Sequence, residues 1–244
     1  MFNVERREQI LALVRERHSM TVHAIAARLY ISESTVRRDL AELEREGKLR
    51  RTFGGAVLEE TPNREVPLML RQSQNHREKQ EIAALCRPLL ENGKVIFLDA
   101  STTVAHLVPH LLELRDLTVI TNSPNIALEL SSPYIRTYCT GGLLLPDSKA
   151  FVGAEAEDFI RCFNADLMFF SSRGIDRDGS ITDSSMEECR LRQVMLHQSA
   201  RAYYLFDKSK LGRRYMINIC RASELSGAFC EEGSAQFEGA EPKQ

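Results

Sequence analysis

The chain has 244 residues, with 32 Lys+Arg against 34 Asp+Glu, and its formal charge of −2 excludes a global electrostatic pull towards nucleic acid or membrane. Hydrophobic residues make up 43% and charged residues 27%, a globular composition, and no apolar run approaches the roughly 20 residues that cross a bilayer. The N-terminus lacks the basic-then-apolar layout of a signal peptide, and none of the six cysteines forms a C-x-x-C pair, so the expectation is a cytoplasmic protein of two domains, with no membrane partner and no metal site.

In chain order, a first helix is expected from Val4 to Arg17, turning Ile10, Leu13 and Val14 inward. Thr21 then caps a second apolar-periodic stretch, Val22, Ile25, Ala26 and Leu29. After the short Tyr30-Ile31 junction, Ser32 caps a third helix. In that helix Val36, Leu40 and Leu43 share one face, which pushes Arg37 and Arg38 outward. Gly47 stands where a glycine commonly ends a helix. Two short helices with so tight a turn predict helix-turn-helix, and the basic hairpin that follows, with Lys48, Arg50 and Arg51 before Thr52-Phe53-Gly54-Gly55, predicts a wing.

The charge that matters is therefore local. Candidate contacts to double-stranded DNA are Thr21, Ser32, Ser34, Thr35, Arg37, Arg38, Lys48, Arg50 and Arg51. Those early in the third helix, Ser34, Thr35, Arg37 and Arg38, are placed to meet base edges, whereas Lys48, Arg50 and Arg51 suit phosphates. An Arg-Arg doublet by itself is usually a solvated face; the capped turn before it and the basic hairpin after it favour DNA. Arg7-x-x-Ile10-Leu11 and the run T-V-R-R-D-L-x-x-L-x-x-x-G-K-L-x-R-x-x-G-G from Thr35 to Gly55 resemble the N-terminal domain of the DeoR family of bacterial transcriptional regulators.

Residues 58–75 lose periodicity and contain Pro62 and Pro67, which predicts a linker between a winged module at 1–57 and a second domain at 76–232. Asn75 and Glu78 stand in a capping-box relation at the head of a helix carrying Ile82, Leu85, Cys86 and Leu89. Residues 94–99 read as a buried strand, followed by Ala100-Ser101-Thr102-Thr103 and a helical stretch through Leu114. A second strand at Leu117–Ile120 leads to Ser123 as N-cap, with Pro124 at the first helical position. Further strands are expected at Ile135–Cys139, Asp166–Phe170 and Ala202–Phe206, with helices near Ala154–Arg161 and Ser184–Ser199. Such alternation predicts an α/β fold with a mainly parallel sheet, whose ligands bind beyond the strand C-termini. The end, 233–244, reads as a frayed tail.

The strand-end loops are rich in Ser, Thr and Asn, offering hydroxyls and free N–H groups that suit a phosphate, and Gly141-Gly142, Lys208 and Lys210 add close backbone approach and charge. The ligand inferred is a small anionic polyol. D-A-S-T-T at Asp99–Thr103, T-N-S at Thr121–Ser123, Gly141-Gly142, F-V-G at Phe151–Gly153, R-G-I-D at Arg173–Asp176 and D-K-S-K at Asp207–Lys210 resemble the effector domain of DeoR regulators. That resemblance implies a fold similar to ribose-5-phosphate isomerase, glucosamine-6-phosphate deaminase and coenzyme A transferases, and a phosphorylated sugar as effector rather than a cofactor. It also implies a pocket lined by Asp99, Ser101, Thr102, Thr103, Asn122, Ser123, Gly141, Gly142, Lys208 and Lys210, with Glu187 at the family's acidic position.

Two positions depart from the family pattern: Ser171-Ser172-Arg173 replaces Gly-Ala-Asp, and Arg192 stands where lysine is common. Arg173 either faces the pocket as a bidentate donor or pairs outward with Asp176 or Asp178. The leading expectation is a repressor of carbohydrate-metabolism genes that binds its operator as a dimer or tetramer. The alternative is a sugar-phosphate isomerase or deaminase fused to a DNA module. It is disfavoured because Arg173 replaces an acid and Glu187 has no evident His partner, His197 lying ten residues on. Redox sensing has no paired cysteine spacing to support it.

Overall fold

The computed structural model describes residues 3–17, 19–46, 48–57 and 68–235. It divides into two units, Met1–Gln74 and Asn75–Gln244. Gly47, the prolines of the linker and residues 236–244 lie outside the described residues.

In the first unit, α1 (Asn3–Arg17) precedes a short strand β1 (Ser19–Thr21), then α2 (Val22–Leu29) and α3 (Glu33–Arg45), and β2 (Arg50–Thr52) and β3 (Gly55–Val57) form the hairpin. Ile10, Val14, Ile25, Val36, Leu40 and Leu43 close one apolar core. The sheet order β1-β3-β2 gives the hairpin a third strand absent from the sequence reading. Gly55 makes that pairing possible: a Cβ there would sit 2.0 Å from the Met20 carbonyl oxygen. The close approach at Gly55 is thus to the chain itself. Within the stretch expected as linker, Leu68–Ser73 forms α4.

The second unit opens with α5 (His76–Cys86). The expected capping box does not form. Asn75 adopts a left-handed φ of 51°, which Asn tolerates, and its amide donates to Asp207 (2.8 Å) and Ser209 (3.2 Å). After a 3-10 turn come β4 (Val95–Leu98), another 3-10 turn at Val104–Leu107 and the single-turn α6 (Val108–Leu111), so the expected helix through Leu114 is broken before Pro109, which stands in the first turn of α6, and ends at Leu111. Then follow β5 (Leu117–Thr121), α7 (Pro124–Glu129), β6 (Ile135–Cys139), β7 (Leu143–Leu144), β8 (Phe151–Val152), α8 (Ala154–Arg161) and β9 (Ala165–Phe170). The chain continues through β10 (Gly174–Ile175), β11 (Ser180–Asp183), α9 (Met186–His197), β12 (Ser199–Leu205), β13 (Ile217–Arg221), β14 (Gly227–Cys230) and β15 (Gly233–Ser234).

Seven strands form the central sheet in the order β15-β14-β12-β9-β4-β5-β6. All neighbours pair in parallel except β15, which returns antiparallel along β14 and so occupies the start of the expected tail. Continuous apolar runs such as Val95–Leu98 and Leu167–Phe170 suit strands buried on both faces. One face packs on Ile82, Val104, Leu107 and Ile126, the other on Ile160, Leu191, Met195 and Ile219. A smaller sheet, β10-β11-β13, stands apart from it. Cys86 and Cys189 are buried, and burial pushes each thiol up to about 12. They are therefore packing groups, because a reactive cysteine needs a thiolate.

Candidate functional site

Capping sets the geometry of the helix-turn-helix. Thr21 Oγ1 accepts from the Ala24 amide (3.1 Å) and Ser32 Oγ from the Thr35 amide (3.3 Å), so both hydroxyls fix helix entries. Ser34 is exposed and hydrogen-bonds Ser32 (2.9 Å), and the Thr35 hydroxyl does the same at 2.8 Å. Arg37 and Arg38 are both exposed on the first turns of α3. Arg37 pairs with Glu33 (3.2 Å), whereas Arg38 makes no ion pair among the described residues. Behind them, Asp39 is buried and binds Arg6 of α1 through two nitrogens, the Nη2 contact being 2.9 Å. This pair, which the sequence reading missed, fastens the inner face of α3 to α1.

In the wing, Lys48, Arg50 and Arg51 are exposed. Lys48 pairs with Glu46 (2.7 Å), and Glu44 accepts from both the backbone and the guanidinium of Arg51, each at 2.7 Å. The Arg51 hydrogen bonds hold the Glu44 carboxyl below its ordinary range.

In the second unit the C-terminal ends of β4, β5, β9 and β12 bring the expected residues together. The register pairs Leu98 with Thr121 and with Phe169, and Phe170 with Tyr204, so the turns that follow share one edge of the sheet. Two ammonium groups serve these turns. Lys79 of α5, 3% exposed, donates to Thr102 Oγ1 at 3.0 Å. Lys210 donates to Ser171 Oγ (2.7 Å) and Thr103 Oγ1 (3.4 Å) and lies 3.9 Å from Asp207. Burial alone would raise the Asp207 carboxyl; Lys210, Ser209, Lys79 and Asn75 outweigh it and leave the group lowered. Lys79 and Ser171 carried no signal in the sequence beyond residue type, since each finds its partner across the fold.

Other expected residues hold the edge itself. Asp99 is buried and accepts from the Ser101 amide (3.1 Å), the Ser171 amide (3.3 Å) and Arg192 Nε (2.8 Å). Arg192 also binds Asp183 (3.0 Å) and Glu188 (3.2 Å), and although burial opposes its charge, the three carboxylates hold its pKa well above the ordinary value. Ser101 and Ser123 accept from the amides of Val104 (3.2 Å) and Ile126 (3.3 Å), capping the turns they open. Asn122 donates to the Phe151 carbonyl (3.1 Å), while its Oδ1 is buried with no partner. Gly141 and Gly142 have φ of 68° and 101°, and a Cβ at Gly142 would meet the Val152 oxygen at 2.6 Å. That glycine lets two segments of the chain meet.

Two expected residues are exposed, and Arg173 makes other contacts. Lys208 is exposed and ion-paired with Glu232, its backbone amide donating to Glu231. Glu187 is exposed at the head of α9, and its neighbour Glu188 is the carboxylate turned inward, because the i,i+4 spacing to Arg192 selects that position. Arg173 donates to Ser184 (3.0 Å) and stacks 4.9 Å over the Tyr215 ring, and Arg214 pairs with Asp176 and Asp178.

A family model for the DeoR-like helix-turn-helix domain matches residues 6–61, and one for the DeoR C terminal sensor domain matches residues 74–231. The chain is 34% identical to the HTH-type transcriptional regulator GlpR of Haloferax volcanii over 99% of this chain and 94% of that protein. It is 33% identical to the lactose phosphotransferase system repressor of Staphylococcus epidermidis over 97% and 95%. Among solved structures, ribose 5-phosphate isomerase A from Methanocaldococcus jannaschii overlaps 57% of this chain and 55% of its own at a TM-score of 0.42 and 17% identity, a likeness too weak to carry an activity across. With a capped helix-turn-helix and a separate parallel-sheet unit both matched over their length, the chain belongs to the DeoR family of transcriptional regulators.

Proposed function

We propose that this regulator represses carbohydrate-metabolism genes in the cytoplasm, and that a phosphorylated sugar at the C-terminal edge of its parallel sheet controls operator binding. The observation that carries the effector assignment is the pair of lysines, Lys79 and Lys210, whose ammonium groups meet three hydroxyls at the turns after β4 and β9. Ammonium groups and hydroxyls together supply the donors a phosphate needs, and the unpartnered Oδ1 of Asn122 supplies an acceptor suited to a sugar hydroxyl. The similarity to a lactose phosphotransferase system repressor supports the gene class.

On DNA, Ser34, Thr35, Arg37 and Arg38 address base edges and Lys48, Arg50 and Arg51 the phosphates, in a homodimer or homotetramer matched to a two-fold operator. Arg38→Ala is expected to cost about 1–3 kcal/mol of specific binding, whereas Arg51→Ala weakens all sequences alike and lowers the salt slope by roughly one phosphate. Gel-shift titrations across salt concentrations decide this, and unchanged affinity in both variants sinks the assignment. A sensor rather than a catalyst is supported by Arg173, which stacks on Tyr215 where the alternative needs an acid, and by the exposure of both Glu187 and His197. Turnover of ribose 5-phosphate by the pure protein would revive the enzyme reading. For the coupling itself, effector titrated with and without operator must show the same factor by which effector alters operator affinity, typically about 1–3 kcal/mol.

A further inference from the structure

Tyr30 stands at the turn between α2 and α3 with φ 54° and ψ 43°, in the left-handed region. Glycine or asparagine enters that region at little cost; a Cβ-bearing aromatic does not. Its backbone role there, donating its N–H to the Ala26 carbonyl, would be served as well by glycine. The side chain earns nothing from the fold: Tyr30 is 95% exposed, the most exposed large hydrophobic among the described residues, and its phenol has no partner among them. A strained backbone and a wholly solvated aromatic at one position mark a residue kept for something outside the chain.

Position says what that is. Only Ile31 separates Tyr30 from the Ser32 cap, so the ring projects at the N-terminal end of α3, the end that enters the major groove in a helix-turn-helix. Ser32, Ser34 and the exposed Arg37 and Arg38 stand at the same end. We propose that Tyr30 is a DNA-positioning residue: its hydroxyl donates to a backbone phosphate at the groove edge, with the ring lying along the adjoining sugar. This rests on the DNA-binding role of α3 and adds a contact that no charged side chain makes. A neutral phenol displaces no counterion, so its loss lowers affinity without changing the salt slope, unlike the loss of an arginine. A phosphate contact also reads no sequence, so operator and unrelated DNA weaken by the same factor.

The test uses the full-length protein. Tyr30→Gly is expected to raise the melting temperature by a few degrees, because the left-handed strain is relieved, and to weaken operator binding about tenfold with an unchanged salt slope. Tyr30→Phe, which keeps ring and strain, is expected to recover the native melting temperature and little of the affinity. A Tyr30→Gly protein that binds operator as tightly as the native chain overturns the proposal. So does native-like affinity in Tyr30→Phe, which removes the hydroxyl contact, or a melting temperature that fails to rise in Tyr30→Gly, which removes the strain. A change in sedimentation mass that accounts for the lost affinity would assign the ring to a contact between copies and likewise overturn it. If Arg38→Ala also leaves binding intact, the failure lies in the assignment of α3 to DNA rather than in Tyr30.

Discussion

Lys208 and Lys210 show how little spacing says about where a charge goes. Two residues apart in one 3-10 turn, they diverge: Lys208 points to solvent and Glu232, Lys210 to Ser171 and Thr103. Lys210→Ala is therefore expected to abolish the effect of a sugar phosphate on operator binding, and Lys208→Ala to leave it nearly intact. Operator titrations with saturating ligand separate the two, and a larger loss in Lys208→Ala contradicts the site described above. Arg192 is the structural counterpart. It is the only cation shown binding Asp99, Asp183 and Glu188 together among the described residues, and all four groups are buried. Removing one partner of a buried ion cluster strands the others, so Arg192→Ala is expected to cost about 3–5 kcal/mol in urea unfolding. Arg192→Lys keeps the charge yet lacks the planar fork that spans three carboxylates, and should recover only part of the loss.

At the scale of elements, the wing depends on a missing atom. β1 and β3 approach so closely at Gly55 that a Cβ would overlap the Met20 carbonyl, whereas at Gly54 a Cβ meets nothing within 4 Å. Gly55→Ala should therefore open the β1–β3 pairing and expose the amides of Ser19–Thr21 and Gly55–Val57 to hydrogen exchange, with a fall in DNA affinity on any sequence. Gly54→Ala should do neither; equal protection in both variants would refute the steric account. The helix starts were legible in the sequence because caps are local: Thr21, Ser32 and Ser123 each accept from an amide three residues on. Asn75 followed the same pattern and failed, since Asp207, distant in sequence, supplied a better acceptor for its amide. The strands β10, β11 and β13 were missed because they are short or broken by a bulge between Ile181 and Thr182 and lack the long apolar runs of the central sheet.

For the molecule as a whole, stability must vary with pH through His106. Its Nδ1–H donates to the Thr102 carbonyl (2.8 Å) and its Nε2 meets His76 Nδ1 (3.1 Å), and burial, reinforced by Lys79 and His76, pushes its pKa below the ordinary value despite the opposing backbone contact. The unfolded imidazole, at about 6.5, then takes up its proton first as pH falls. Protons bound by the unfolded state exceed those bound by the folded state in that window. The contribution is therefore complete above about pH 6.5 and erodes from there down to the folded value. Urea midpoints measured from about pH 8 to about pH 5.5 should decline less in His106→Gln than in the native chain; parallel profiles would exclude this group as the cause. Asp207, also lowered, adds a loss at more acid pH, where its carboxyl protonates.

Periodicity, caps and continuous apolar runs act over a few residues, so the sequence by itself determined the winged module, the strands β4, β5, β6, β9 and β12, and the sheet edge at which the Ser, Thr and Asn residues collect. Partner choice acts across the fold. Only the tertiary structure decided that Asp99 would be held by Arg192, that Lys79 would reach Thr102, that Arg173 would lie on Tyr215, and that residues 233 and 234 would pair with β14 rather than fray. Each of those outcomes is set by which groups burial brings within about 3–5 Å, where hydrogen bonds, ion pairs and ring contacts have strength, and residues 93 apart in the chain such as Asp99 and Arg192 carry no local trace of that proximity.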